Sequence, residues 1–180
     1  MPILGTLASS TEKFAGYSSI ATVSYPSGSG GTASFSSIPG AYRHLQLRAF
    51  IRDTTSATTA QWTLRFNGDT ATNYNYAGMF QVGEGSITQD RANNQTGVRS
   101  DHPGSSTAPF GIVVIDIFDA NQTNKFKSIN FSSGFSNAGN TARLFTMSGA
   151  WRSTNAVSSI TFAPQTAFAQ YSHIALYGIV

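Results

Sequence analysis

Apolar side chains recur at every second position along most of this chain, and that period of two constrains its fold more than any other feature. In residues 43–52, Leu45, Leu47, Ala49 and Ile51 share one side, while His44, Gln46, Arg48, Phe50 and Arg52 share the other. Successive side chains of a strand point to opposite faces, so this segment reads as a strand with one core face and one wet face. Residues 61–67 repeat the pattern, with Trp62, Leu64 and Phe66 inward and Thr63 and Arg65 outward. Residues 17–25 set Tyr17, Ala21, Val23 and Tyr25 on one face, and residues 32–37 alternate Ala33 and Phe35 with Ser and Thr. The Pro26–Gly31 stretch between them reads as a loop. Further strands are predicted over 125–131, 143–152, 157–162 (closed by Pro164) and 173–180, with a Ser/Gly/Asn loop at 132–142. Residues 110–118 are apolar on both faces apart from Asp116, as in a strand between two packed layers or at a subunit interface.

No long stretch shows helical periodicity. About eight or nine strands at this spacing predict an all-β fold, an antiparallel β-sandwich of jelly-roll-like type. Composition agrees. Charged residues make up only 11 %, against about a quarter in an ordinary domain, yet 13 Phe, 7 Tyr and 2 Trp supply a core. Residues 17–180 are expected to form one domain, preceded by an arm at 1–16. Residues 68–109 differ from the rest, being rich in Gly, Asn, Thr, Ser and Gln. One or two short strands are expected there, around 74–82 and 95–100, within a long connection. Long ordered connections often carry function, which makes this segment the candidate contact surface. Its aromatic residues Tyr74, Tyr76 and Phe80 are the candidate ligand contacts, since rings stack on the apolar faces of sugars. The two-residue spacing of Tyr74 and Tyr76 equally suits packing onto a sheet.

The sequence offers little for catalysis. No serine sits in a G-x-S-x-G elbow, and no P-loop, dinucleotide fingerprint, HExxH or EF-hand occurs. His44 and His173 fall in predicted strands, and His102 in what reads as a turn, Asp101-His102-Pro103-Gly104. Glu84 and Asp90 are one conceivable carboxylate pair, but spacing does not select them. Asp116 reads as a member of a structural polar network. The absence of cysteine excludes disulfides and Cys-based zinc sites. No metal, cofactor or catalytic residue is expected. The net charge of +3 reflects few acids rather than basic runs, so nucleic acid is not an expected partner. No segment approaches the roughly 18 apolar residues of a membrane-spanning helix, and no membrane insertion is expected. The apolar arm, with Pro2, Ile3, Leu4 and Leu7, reads as an attachment element suited to a groove on a neighbour.

Five stretches carry a resemblance: MPILGTLASS at 1–10, SIPGAYRHLQLR at 37–48, LRFNGDTATNYNY at 64–76, SGAWRSTNAVSSITF at 148–162 and YSHIALYGIV at 171–180. Together they resemble a family of small virion proteins of tailed bacteriophages, frequent among cyanophages and often described as tail-fibre-like. The resemblance extends over nearly the whole chain and is weakest in 80–109. It implies a non-enzymatic structural component of the virion, assembled in the bacterial host cytoplasm, with other phage structural proteins as partners. It also implies a homo-oligomer, commonly a homotrimer. A tail, fibre or baseplate position, with contact to host-surface glycans through the 68–109 region, is the leading expectation. Capsid decoration and a free carbohydrate-binding module are the alternatives.

Overall fold

The alternating segments pair with one another as strands. The computed structural model describes residues 16–104, 108–137 and 141–180, so the arm residues Pro2, Ile3, Leu4 and Leu7 lie outside the described residues. Twelve strands and no helix occur among the described residues. They are β1 (Tyr17–Ser24), β2 (Ala33–Phe35), β3 (His44–Ile51), β4 (Thr59–Phe66), β5 (Tyr74–Val82), β6 (Thr88–Gln95), β7 (Val98–Pro103), β8 (Gly111–Phe118), β9 (Lys127–Ser136), β10 (Ala142–Trp151), β11 (Ile160–Pro164) and β12 (His173–Ile179).

An eight-stranded sheet runs β1-β12-β3-β8-β9-β10-β5-β6, and a four-stranded sheet runs β2-β11-β4-β7. Every pairing is antiparallel. The two sheets face each other across one core, forming a β-sandwich. Leu45, Leu47, Val113, Ile115, Ile129, Phe131 and Met147 come from the large sheet, and Trp62, Leu64, Phe66, Ile160 and Phe162 from the small one. Trp62 bridges the layers, meeting Phe131 edge-on at 5.3 Å between ring centroids. At the same interface Phe66 lies 5.4 Å from Trp151.

Four sequence expectations are corrected. The 68–109 region is not chiefly a connection, because β5, β6 and β7 occupy most of it. β6 (TQDRANNQ) is an edge strand with exposed or half-buried side chains throughout, so it never develops an apolar period. The predicted loop at 132–142 is mostly strand, since β9 runs to Ser136 and β10 begins at Ala142. There Ser133 takes an inward position between Phe131 and Phe135, which interrupts the apolar alternation without breaking the strand. Tyr17 does not share a face with Ala21 and Val23. A bulge between Ser19 and Ala21 switches the strand's facing, and Tyr17 stands outward beside Tyr177. Finally, β11 starts at Ile160 and contains Pro164, which pairs with Trp62.

Candidate binding cleft and open sheet face

The unequal sheets create the candidate site. β7 is an edge of the small sheet and packs over β9, touching β5. Beyond it the inner faces of β10, β5 and β6 extend without a covering strand among the described residues, leaving a cleft of about 430 Å³. Tyr76, Phe80, Ala92 and Phe145 form its floor. Phe80 stacks on Phe145 at 5.3 Å and 17°, and Phe145 stacks in turn on Phe135 at 6.3 Å. Gln61, Arg99, Ser100 and Asp101 form the β7 wall, while Asp90, Arg91 and Arg143 close the opposite rim.

The polar groups of the cleft are loosely paired. Arg99 Nε donates to Tyr76 Oη at 3.0 Å. Arg143 Nη1 stands 3.6 Å from Asp101 Oδ2, and Gln61 Nε2 donates to Asp101 Oδ1 at 3.5 Å, the outer limit of a hydrogen bond. Arg143 Nε and Ser100 Oγ are buried with no hydrogen-bond partner among the described residues. Burial pushes the Asp101 carboxyl up, against the pull of Gln61, Arg143 and His102, and the nearby Asp90 adds to the rise. Donors and acceptors thus surround an aromatic floor, an arrangement suited to a small polyhydroxylated ligand.

Of the three predicted ligand contacts, the structure brings Tyr76 and Phe80 to this cleft and places Tyr74 elsewhere. Tyr74 is fully buried, packs against Phe66 and Trp151, and accepts from the Phe66 N–H through its hydroxyl. It is a core residue and no ligand reaches it. Asp90 lines the cleft and Glu84 does not, so the carboxylate pair weighed from sequence is not assembled there. Sequence reasoning missed Arg99, Asp101 and Arg143. They lie on separate strands, and only the overhang brings them together.

The remaining candidates have structural surroundings. His102 is a fully buried strand residue rather than part of a turn, with Nε2 3.6 Å from Asp53 Oδ2. Asp53 is buried too and accepts from Thr55 N at 2.8 Å and Thr166 N at 3.1 Å. Burial raises its pKa, but these bonds and His102 outweigh that and hold it below the usual carboxylate value. His44 Nδ1 accepts from Asp119 N. Asp116 accepts from Gln46 Nε2 at 2.6 Å and belongs to a partly buried network with Arg48 and Tyr17.

A second feature is the outer face of the large sheet. On it Phe50 stacks on Phe110 at 4.8 Å, His173 lies 5.6 Å from Phe50, and Arg52 sits over Phe110 at 4.7 Å. Arg48 covers both Tyr17 and Tyr177, at 4.8 and 5.2 Å from their ring centroids. Ile112 is 59 % exposed and Phe118 41 %, both from β8 in the middle of the sheet. The two apolar faces of β8 therefore have different neighbours, the core on one side and open surface on the other. Comparison of this chain with protein-family models, with curated proteins and with solved structures finds no match.

Proposed function

We propose that this chain is a structural protein of a tailed-phage virion, a tail, fibre or baseplate-associated component that assembles with copies of itself and with other particle proteins. In this reading the cleft between β7 and β6 meets host-surface glycan. The observation that carries the assembly role is the outer face of β8. A central antiparallel strand whose outer side meets only water takes polar residues there. β8 instead presents Ile112, Val114 and Phe118 with one acid, Asp116, and Phe50 of the neighbouring β3 lies opposite Ile112. Exposed apolar surface of this kind, here Ile112 with Phe50 and Phe110, marks protein–protein contact. The virion assignment rests on the resemblance of the five sequence stretches to tailed-phage proteins. The homotrimeric state belongs to the same proposal.

The test is electron microscopy of purified phage particles labelled with an antibody against this domain. Label on the tail or its fibres is the expected result. Label over the head would replace the tail position with capsid decoration. Absence of label from particles, with the protein confirmed as expressed, would overturn the virion reading and favour a free carbohydrate-binding module.

A further inference from the structure

We infer that the cleft between β7 and β6 takes an acidic sugar, a hexuronic acid or similar carboxylate-bearing saccharide unit. This rests on the glycan-contact reading and names the class of glycan. Arg99 and Arg143 stand in the cleft against two carboxylates, Asp90 and Asp101, while Arg91 borders it from the rim, its side chain on the outer face beside Ala77.

Arg143 is the anchor. Its side chain is only 21 % exposed, its Nε has no partner among the described residues, and its nearest carboxylate oxygen is 3.6 Å away. That distance is too long for the short charge-assisted bonds a guanidinium makes with a carboxylate. Arg99 spends Nε on Tyr76, and its two terminal nitrogens remain to complete a fork. Ser100 Oγ is likewise buried without a partner, so the back of the cleft asks for polar groups that the fold does not supply.

The floor limits what can bring that carboxylate. Phe80 is half-buried and already backed by Phe145, so its free side offers a flat apolar platform. A pyranose ring has an apolar face to lay on it, and its hydroxyls can donate to Asp90 and Asp101. Inorganic phosphate has no such face. A neutral sugar would satisfy the carboxylates but leave Arg143 under-paired. The volume, about 430 Å³, lies within the range of small-ligand sites.

Calorimetric titration of the full chain with methyl glucuronide, methyl glucoside and inorganic phosphate tests the inference. Amide chemical shifts of Tyr76, Phe80 and Ala92 would report the site in parallel. The glucuronide is expected to bind about tenfold or more tighter than the glucoside, with shifts confined to the cleft. Arg143→Gln is expected to remove that preference, and Phe80→Ala to weaken both sugars. Arg143→Lys keeps the charge, and its intermediate preference would support the guanidinium fork. Thermal melts of each variant establish that it is folded. Equal binding of both sugars would overturn the acidic-sugar inference and leave the glycan reading standing. Phosphate binding as tightly as the glucuronide would reduce the cleft to a general anion site and overturn it too. Binding of neither sugar by the folded wild-type chain would overturn both.

Discussion

Lys127 is fully buried, yet its ammonium group is completely satisfied. Nζ donates to the carbonyls of Gln122 at 2.6 Å, Lys125 at 3.0 Å and Thr154 at 3.2 Å, so three donors meet three acceptors from two loops. Burial pushes its pKa down, partly countered by the charge of Asp119. Lys127→Met would fill the space but leave three carbonyls without a donor. It is expected to lower the unfolding free energy by about 2–4 kcal/mol, read from chemical denaturation. A loss below about 0.5 kcal/mol would mean that the loops close just as well without the ammonium. The neighbouring Asp119 answers to pH. The hydrogen bond from Lys125, at 2.7 Å, and that from Arg43, at 2.9 Å, pull its carboxyl down to about 2. Its folded pKa lies below the unfolded value of about 3.9, so its contribution is present above that value and is lost as pH falls toward 2. Carboxyl-carbon NMR should therefore show a midpoint near 2, moving up toward the ordinary value in Lys125→Met. A midpoint in the ordinary range in the wild-type chain would remove Asp119 from the acid response. Asp101 runs the other way. Its pKa is raised, so its contribution is full below the unfolded value and fades as pH rises through the folded one.

At the level of elements, strands were legible wherever one face was buried and the other wet. β3, β4 and β12 announce themselves through Leu45, Trp62 and Ile174 and their partners at i+2, because burial on one face forces a period of two. β6 could not be read this way. An edge strand with no covering layer needs no apolar period, and its backbone pairing with β5 leaves no trace in its side chains. The bulge in β1 was equally silent, since one extra residue moves Tyr17 to the other face without altering composition. The cleft was half legible. Tyr76 and Phe80 stood out as aromatics in a polar segment, whereas Arg99, Asp101 and Arg143 acquire meaning only from the unequal widths of the two sheets. Packing of β5 against β10 leaves another signature, Gly78. A Cβ there would stand 2.2 Å from Thr146 O and 2.6 Å from Met147 Cα, both backbone atoms that cannot swing aside. Gly78→Ala is expected to cost about 2 kcal/mol or more as the strands part to admit a methyl group. Because these strands form the floor of the cleft, the same variant should perturb the amides of Tyr76 and Phe145. An unchanged melting temperature would show that the pair yields without strain.

The molecule as a whole has two sheets of different widths, and its two candidate surfaces follow from that difference. Where the large sheet overhangs on its inner side, a polar cleft forms. Among the described residues its outer side has no third layer, so it stands open to a partner. That side is not uniformly apolar. β9 runs through its middle with Ser128, Asn130 and Ser132 outward, and Phe50, Ile112 and Phe118 gather to one side of this stripe. A partner seated there would cover the β12-β3-β8 half and leave the cleft, beyond β10, free for a ligand. Association through this half predicts a specific result for Ile112→Lys. Residue 112 is 59 % exposed, so the change should leave the monomer's stability within about 0.5 kcal/mol. A lysine placed at the centre of an apolar contact must be desolvated without a partner, which costs several kcal/mol per copy. Light scattering coupled to size-exclusion chromatography should show wild-type oligomers giving way to folded monomers in this variant, and Leu144→Lys, across the stripe on β10, should leave assembly intact. Dissociation by Leu144→Lys but not by Ile112→Lys would move the contact to the β10-β5 half, on the sheet face opposite the cleft. A wild-type chain that stays monomeric at high concentration would assign the apolar half to a different protein rather than to a second copy.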